Sequence, residues 1–559
     1  MRFQRATQAV TLAGFVALMA WAGYPYHEGL AVDFFLRLDP LIGVGTIVGS
    51  RSFPLALLPG LILLLAALVL GRVFCGHICP MGTTIDVLRY AVGPRRDPPA
   101  KSASYEATNR FRSWKYLILA AILAAGVAGV SLVHLGSPLS LVTRLYALCL
   151  HPLALMAGDW GLSWGAPLFG AVGLDELAYI QVSKRLFATN LFVAALFCGI
   201  GLLAYWQPRF WCRNLCPAGA LLALFSPRAL FRRVISDECT GCNRCVRECP
   251  TGAIRDDPSL TVHSECIMCL HCRELCPEAA VSFGPHWSKG ESSLAGPDPT
   301  RRGILMAVAG GVITAGLLRS GLSQPRLSDK EGGLVDPELI RPPGALPEAQ
   351  FRTVCVRCGE CMRACPTNTL QPIWLLAGLE GIFSPVMTPR QGACATNCNV
   401  CGKVCPTGAI RDLPLIEKQH AKVGTAWINR RNCLVWEQDK KCLVCDECCP
   451  YKAISLRPVA GLSHLAPFVL ANQCSGCGYC ENKCPVEGQS AIRVNIIGEI
   501  RLASGSYQEK AKEYGLLFRK RDGFADGLSP GALDPPDTAY PVESQGMEPG
   551  NLQRGFTDE

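Results

Sequence analysis

The sequence predicts a chain in two parts, an α-helical membrane domain followed by small α+β modules that are rich in cysteine. Two observations support this fold class. Apolar stretches at residues 7–25, 54–74, 116–135 and 187–206 each have about the 20 residues needed to cross a hydrocarbon core of about 30 Å. The chain of 559 residues also contains 31 cysteines, of which 24 fall into six groups after residue 236. A chain of this length divides into several domains, so we assign the two regions to separate units.

Basic residues beside the apolar stretches predict the orientation of the membrane domain, because Lys and Arg collect on the cytoplasmic side. They are frequent between the second and third stretches and after the fourth, and Arg2 and Arg5 precede the first. Lys184 and Arg185 lie on the other side and oppose this orientation. Residues 137–175 are also apolar enough to enter the membrane, so we expect four to six transmembrane helices. The net charge of +9 therefore reflects topology, and no nucleic-acid partner is predicted.

The first cysteine group reads C-x2-C-x2-C-x3-C-P and runs from Cys239 to Pro250. Four thiolates at this spacing fit the corners of a [4Fe-4S] cube, and the fourth cysteine usually ligates a neighbouring cube. Folds of this kind have small cores and depend on their metal. We therefore expect ferredoxin-like modules that hold six [4Fe-4S] clusters and conduct electrons. Ligation, rather than disulfide bonding, accounts for the number of cysteines.

Two modules are predicted, at residues 237–285 and 351–502. In the first, the crossing rule assigns one cube to Cys239, Cys242, Cys245 and Cys276, and the other to Cys266, Cys269, Cys272 and Cys249. The four groups of the second module all end in Cys-Pro: Cys355, Cys358, Cys361 and Cys365; Cys394, Cys398, Cys401 and Cys405; Cys433, Cys442, Cys445 and Cys449; Cys474, Cys477, Cys480 and Cys484. Their spacing does not show which groups exchange their last cysteines. Cys448 breaks the spacing that Cys449 keeps, and we interpret it as a neighbour rather than a ligand.

The remaining segments connect these units. We expect a membrane domain at residues 1–236, a linker with an anchor helix at 286–320, a Pro/Gly-rich linker at 321–350, and a flexible or surface-wrapping tail at 503–559. Thr300, Arg301 and Arg302 precede a short apolar run and resemble a twin-arginine export signal placed in mid-chain. The alternative is an ordinary transmembrane helix with two arginines on its cytoplasmic side. Both interpretations carry the second module outward, and without a clear cleavage site the segment is expected to stay as one later anchor helix.

The second and fourth apolar stretches end in the same pattern, C-x3-C-P, which supplies Cys75 with Cys79 and Cys212 with Cys216. Residues four apart share one face of a helix, so two adjacent helices would present four thiols to one centre. Three interpretations remain open: a shared metal or cluster site, redox-active or transiently copper-binding thiols, and a structural motif at a helix end. A permanent disulfide is disfavoured in a reducing cytoplasm.

Other candidate ligands give weaker signals. His77, within the first pair, is expected to make an ordinary polar contact. His134 and His151 lie in apolar segments without a C-x-x-C-H attachment sequence, so haem is not predicted. Cys149 and Cys198 stand alone among apolar residues and are expected to act as small hydrophobic side chains. Catalytic residues are not indicated, because the chain has no nucleotide loop, nucleophile triad or flavin fingerprint.

With these motifs, residues 1 to about 285 resemble the NapH-type membrane ferredoxins, which have four helices, two C-x3-C-P motifs and a two-cluster domain. Residues 300 to about 502 resemble the NapG-type ferredoxins, which are exported with a twin-arginine leader and hold four clusters. The chain therefore looks like a natural fusion of the two. NosR-type and CcoG-type proteins share the membrane half, and the latter are associated with copper reduction. The four-cluster module departs from both types and favours a relay.

The resemblance implies a quinol dehydrogenase of the bacterial inner membrane that passes electrons to a periplasmic redox enzyme or cytochrome. Its partners would be membrane lipid and the quinone pool, with the two-cluster module in the cytoplasm and the four-cluster module in the periplasm. Two alternatives stay open: a maturation factor that supplies electrons or reduces copper for another enzyme, and electron flow inward to quinone. About 30 Å of hydrocarbon would separate the modules, and no sequence feature supplies a proven carrier across it. We expect the four C-x3-C-P cysteines to shape a redox or quinone-linked site near the inner face.

Overall fold

The computed structural model describes residues 2–26, 31–92, 111–172, 185–187, 189–285, 299–319, 339–374, 377–521 and 524. An N-terminal helical domain precedes two cysteine-rich modules. The helices of this domain are Arg2–Trp21, Phe34–Arg37, Pro40–Ser50, Leu58–Leu70, Pro80–Val92, Trp114–Val127, Val133–Gly136, Pro138–Leu145, His151–Val172, Asn190–Trp206 and Pro217–Phe225. Shorter turns interrupt them, with a 3-10 turn at Leu55–Leu57 and π-helical turns at Phe74–Ile78, Tyr146–Leu150 and Trp211–Leu215.

Within the described residues, two helical segments are long and apolar enough to cross a membrane, Pro138–Ala166 with 29 residues and Arg301–Arg319 with 19. The stretches predicted at 54–74, 116–135 and 187–206 form shorter apolar helices, Leu55–Leu70, Trp114–Val127 and Asn190–Trp206.

Glycine conformation explains two of these early ends. The helix before Gly71 stops because this residue has φ +66°, and Gly129 has φ +83° just beyond the helix that ends at Val127. Left-handed backbone of this kind terminates a helix, and glycine adopts it without steric cost. Hydropathy therefore located these helices but overestimated their length.

The Arg301–Arg319 helix lies along the helix Trp114–Val127. It begins at a capping residue, since Thr300 Oγ1 accepts a hydrogen bond of 3.2 Å from the amide of Gly303. Its buried positions are Gly311 and Ala315, while leucine and isoleucine side chains of the same helix remain exposed. A Cβ built on Gly311 would lie only 2.3 Å from the Ala121 carbonyl oxygen. Small residues thus allow the two backbones to approach closely.

The first cysteine-rich module is closed by two antiparallel strands, β1 (Phe231–Ile235) and β2 (Val281–Pro285), with Phe231 opposite Pro285. Between them lie the short helices Arg244–Arg247 and His271–Leu275. The module therefore begins at residue 231, earlier than the predicted boundary at 237, because the closing strand precedes the first cysteine.

The second module contains three two-stranded antiparallel sheets, which pair β3 (Leu370–Pro372) with β4 (Pro385–Met387), β5 (Thr425–Ile428) with β8 (Ile492–Asn495), and β6 (Ile454–Arg457) with β7 (Ala466–Val469). Its helices are Glu348–Val354, Glu360–Ala364, Val400–Lys403, Leu415–His420, Leu434–Gln438, Val444–Glu447, Tyr479–Lys483 and Tyr507–Glu513.

Both predicted boundaries of this module shift outward. Residues 339–350, predicted as linker, belong to it, since the amide of Met387 donates to the Ile340 carbonyl at 2.7 Å and Ala345 bridges to Ile410. At the other end, the amide of Leu517 donates to the Asn472 carbonyl at 2.8 Å. The described part of the tail therefore packs on the module. Residues 525–559 lie outside the described residues.

Candidate iron-sulfur electron-transfer site

Four thiols of the first module meet around one cavity, and three others lie near one another. Cys249, Cys266, Cys269 and Cys272 line one cavity. The Cys245 thiol interacts electrostatically with those of Cys239 and Cys242. Four sulfur donors around one cavity, three from one group and one from the other, are the ligand set that a [4Fe-4S] cube requires.

The second module shows which of its groups exchange cysteines, a pairing that spacing alone left open. Two cavities are lined by four thiols each: Cys474, Cys477, Cys480 and Cys449 around one, and Cys433, Cys442, Cys445 and Cys484 around the other. The Cys405 thiol interacts electrostatically with those of Cys355, Cys358 and Cys361. The thiols of Cys398 and Cys401 interact in the same way with those of Cys365 and Cys394. The first group therefore crosses with the second, and the third with the fourth.

Backbone amides stabilise the fourth thiol of several groups. Cys249 Sγ accepts a hydrogen bond from the amide of Ala253 at 3.3 Å, and Cys449 Sγ accepts one from Ala453 at 3.2 Å. Cys405 accepts similarly from Ile410 at 3.4 Å. Such bonds favour the thiolate, which is the form that binds iron. The turns after these three Cys-Pro pairs thus each contribute a hydrogen-bond donor to the site.

The additional cysteine of the third group lies between two sites. Cys448 lines neither of the neighbouring cavities, and its thiol donates to the Cys445 carbonyl at 3.7 Å. It interacts electrostatically with Cys445 on one side and Cys480 on the other. This position agrees with the prediction that Cys448 is a neighbour rather than a ligand.

The four C-x3-C-P thiols are also brought together, and we call Cys75, Cys79, Cys212 and Cys216 the thiol quartet. Cys79 interacts electrostatically with the other three. The prediction assumed that each pair lies on one face of an α-helix, but each pair spans a π-helical turn and ends in an extended residue. Cys216 then caps the next helix, where its Sγ accepts from the amide of Gly219 at 3.3 Å.

The quartet lies on a duplicated motif that is longer than C-x3-C-P. Arg72 and Arg209 occupy equivalent positions three residues before each pair, and Gly82 and Gly219 occupy equivalent positions after it. Each arginine reaches the glycine of the other copy: a Cβ built on Gly82 would lie 3.7 Å from Arg209 Nη1, and one on Gly219 would lie 2.7 Å from Arg72 Nη2. Both arginines are only 2% exposed. Aligning the two copies over this longer window would have revealed these residues from sequence.

The first module docks on the quartet side of the helical domain through a buried ion-pair group. Glu265 Oε2 accepts from Arg72 at 2.9 Å and from Lys115 at 2.5 Å, and Oε1 accepts from the Tyr116 hydroxyl at 2.9 Å. Burial alone would raise the pKa of Glu265, but Lys115 and Arg72 lower it to about 2. This glutamate is therefore a buried anion held by charges of the helical domain.

His77 takes part in the same interface. Its Nδ1 lies 2.9 Å from Thr7 Oγ1 and its Nε2 lies 3.0 Å from the Met268 carbonyl oxygen. The ring therefore joins the N-terminal helix to the first module. This is the polar contact that the sequence predicted.

The second module docks on another set of residues. Ser140 Oγ donates to the Val356 carbonyl at 2.6 Å, and Arg144 Nε donates to the Arg357 carbonyl at 3.0 Å. Arg357 contacts the buried His134 ring. Because Val356 and Arg357 lie between Cys355 and Cys358, the first cysteine group of this module rests directly on the helical domain.

The remaining candidates show no ligand geometry. Cys149 is buried and donates to the Asn190 carbonyl at 3.3 Å, as expected of a small side chain. Cys198 is exposed on its apolar helix. His151 is half-buried near Arg363 and Arg185. Within the described ranges, no three His, Cys, Asp or Glu side chains are arranged to hold a single metal ion.

Comparison with known proteins agrees with these sites. A family model described as a 4Fe-4S binding domain matches twice, at residues 52–99 and 189–236, and models described as 4Fe-4S dicluster domains match at 232–277 and 354–410. The methylamine utilization ferredoxin-type protein MauM of Paracoccus denitrificans is 38% identical over 200 residues, which cover 34% of this chain and 82% of MauM.

Two further relatives are similar in the same way. MauM of Methylorubrum extorquens is 37% identical over 35% of this chain and 89% of its own length. The ferredoxin-type protein NapG of Escherichia coli is 38% identical over 28% of this chain and 69% of NapG. The chain belongs to the MauM and NapG family of ferredoxin-type proteins. It is therefore a ferredoxin-type electron-transfer protein with multiple [4Fe-4S] clusters. No solved structure matches it.

Proposed function

We propose that this member of the MauM and NapG family is a membrane-bound electron-transfer protein that oxidises quinol and relays the electrons to a periplasmic oxidoreductase. Six [4Fe-4S] clusters would carry the electrons, two in the first module and four in the second. The six predicted cysteine groups would supply the ligands, each lending its last cysteine to a partner group.

One observation carries this proposal. The cysteine group that starts the four-cluster module is seated on the helical domain, where Ser140 contacts Val356 and Arg144 contacts Arg357. An electron released within the helical domain would therefore meet the cube of Cys355, Cys358, Cys361 and Cys405 first. The cubes of the third and fourth cysteine groups would carry the electron onward to a soluble partner.

Exposed apolar helices support the membrane location. On the Arg301–Arg319 helix, Leu305 is 69% exposed and Ile313 is 61% exposed. Side chains of this kind are costly in water but stable against lipid. The basic residues predicted to be cytoplasmic, together with Arg301 and Arg302, would place the two-cluster module inside and the four-cluster module outside.

The chain's own residues perform three tasks in this mechanism. The cysteine thiolates hold the clusters, which each exchange one electron at a time when bound. Backbone amides such as that of Ala453 stabilise the sulfur charge. Buried arginines such as Arg144 and Arg357 fasten the module to the helical domain, and their burial excludes water from the junction.

The test is anaerobic purification in detergent, quantification of iron and sulfide, and addition of a reduced quinol while cluster absorbance is recorded. We expect at least about 24 irons per chain, the content of six cubes, and bleaching after quinol is added. A full iron content without bleaching would show that quinol is not the donor. Copper bound at the quartet would instead favour the maturation function.

A further inference from the structure

We propose that the thiol quartet, Cys75, Cys79, Cys212 and Cys216, holds one additional [4Fe-4S] cluster that carries electrons between the two modules. This inference rests on the proposed relay, because it supplies the carrier that the sequence lacked. The quartet brings together four thiols, two from each copy of the duplicated motif. Neither copy alone provides four ligands at this place, so the site exists only where the two copies meet.

Two buried arginines, one from each copy of the motif, lie beside the quartet. Arg72 interacts electrostatically with Cys75 and Cys216, and Arg209 with Cys212. Arg209 Nη1 also donates to the Cys75 carbonyl at 3.0 Å, so an arginine of one copy bonds the cysteine turn of the other. Each guanidinium also has a carboxylate partner, Glu265 for Arg72 and Asp86 for Arg209. The two arginines, placed in this crossed way, would be positively charged neighbours of a cluster bound between the copies.

On one side, the quartet touches the first module directly. A Cβ built on Gly76, the residue after Cys75, would lie 2.2 Å from the Ile267 carbonyl oxygen. His77 Nε2 contacts the Met268 carbonyl at 3.0 Å. Ile267 and Met268 are the two residues between Cys266 and Cys269, so the first C-x3-C-P turn packs against a cluster-binding loop. No intervening side chain separates these two backbone segments.

On the other side, the quartet connects to the second module through a short path. Pro217, which follows Cys216, packs against Gly136, since a Cβ on Gly136 would lie 2.5 Å from Pro217 Cγ. The next residue, Ser137, begins a helix, and one turn later Ser140 donates to the Val356 carbonyl at 2.6 Å. That turn advances about 5 Å along the helix.

A second connection runs parallel to the first. The Cys216 thiol interacts electrostatically with Asp39, whose carboxylate accepts from the Ser137 hydroxyl at 2.6 Å. Both routes start at Cys216 and reach Ser137, and from there the helix leads to the loop between Cys355 and Cys358. Packed residues therefore connect the quartet to one cysteine loop of each module.

The reaction step is a single electron exchange. Clusters, when bound, would supply this one-electron chemistry. The thiols of Cys249, Cys266, Cys269 and Cys272 would hold the electron donor, those of the quartet would hold the intermediate carrier, and those of Cys355, Cys358, Cys361 and Cys405 would hold the acceptor. The same residues would serve electron flow in the opposite direction. No covalent bond forms or breaks, and no proton is transferred.

The first test counts iron and acid-labile sulfide per chain. We expect about 28 irons in the natural protein, the content of seven cubes, and about 24 after all four quartet cysteines are changed to Ser. The matched control is Cys198→Ser, which removes an exposed cysteine from the same duplicated region and should keep about 28 irons. About 24 irons in the natural protein would overturn the proposal even if the quadruple variant did not fold, and copper in place of iron would also overturn it.

The second test places the protein in liposomes without quinone and adds dithionite, which does not cross the bilayer, to the outside. In the natural protein and in Cys198→Ser, we expect clusters of both modules to bleach. In the quadruple variant, only the module on the outer side should bleach until detergent opens the liposomes. Complete bleaching of the intact variant liposomes at the natural rate would overturn the carrier role. Because dithionite replaces quinol here, a failure of quinol oxidation would not affect either test.

Discussion

Two adjacent cysteines, Cys448 and Cys449, show how single positions decide ligation. Cys449 lines the cavity with Cys474, Cys477 and Cys480 and accepts an amide hydrogen bond from Ala453, whereas the Cys448 thiol donates to a carbonyl. We expect Cys449→Ser to lose iron from that cube, up to about four irons per chain. Cys448→Ser should keep the natural content. Iron and sulfide analysis compares the two, and equal iron losses would show that either thiol can serve as the ligand.

Glu265 joins the first module to the helical domain through a buried ion-pair group. Its carboxylate is 1% exposed and is shared by Arg72, Lys115 and Tyr116. Glu265→Gln leaves buried cations without their anion, a change that typically costs about 3–5 kcal/mol. We expect the visible cluster absorbance to bleach at a lower temperature than in the natural protein.

The control for this change is Glu278→Gln, which removes an exposed carboxylate from the same module. It should leave the bleaching temperature nearly unchanged, because exposed charges contribute little to stability. If both variants bleached alike, the ion-pair group would not hold the module.

The packing of the Arg301–Arg319 helix can be tested by substituting two adjacent glycines, Gly310 and Gly311. Gly311 faces the Ala121 carbonyl so closely that any side chain must displace one helix, whereas a Cβ on Gly310 would meet nothing within 4 Å. We expect Gly311→Leu to separate this helix from Trp114–Val127, and Gly310→Leu to be tolerated. Limited proteolysis of the purified protein should cut the Gly311→Leu variant faster between residues 286 and 350. Equal cleavage of both variants would contradict the packing.

The sequence predicted the type of these elements better than their ends. Hydropathy found the apolar helices, but it could not see that Gly71 turns to positive φ or that a π-helical turn precedes Cys79. Both features depend on backbone geometry that the second copy of the motif and the first module stabilise. Aligning the two copies shows that Arg72 and Arg209 occupy equivalent positions, but only the folded structure shows that each arginine reaches the glycine of the other copy.

Across the whole molecule, the spacing of the cysteines predicts some of the cluster ligand sets, and only the folded structure shows the others. With two groups in the first module, the crossing rule leaves one solution, and the cavity around Cys249 agrees with it. Four groups allow several pairings with the same spacing. Packing selects one, since Cys365 is held near Cys401 and Cys484 near Cys433. A local motif carries no information about which distant group will fold against it.

The proposed membrane orientation depends on the role of Arg301 and Arg302. Arg301→Lys combined with Arg302→Lys preserves both positive charges but removes the arginine pair that twin-arginine export requires. An ordinary transmembrane helix should tolerate this change, because lysine and arginine act alike in the positive-inside rule. With an epitope attached at the C-terminus, we expect antibody to reach it in spheroplasts of the natural protein and not in those of the double variant. Arg319→Lys, at the other end of the same helix, is the matched control and should leave the epitope accessible. An accessible epitope in the double variant would identify an ordinary helix, and an inaccessible epitope in the natural protein would place the four-cluster module on the inner side.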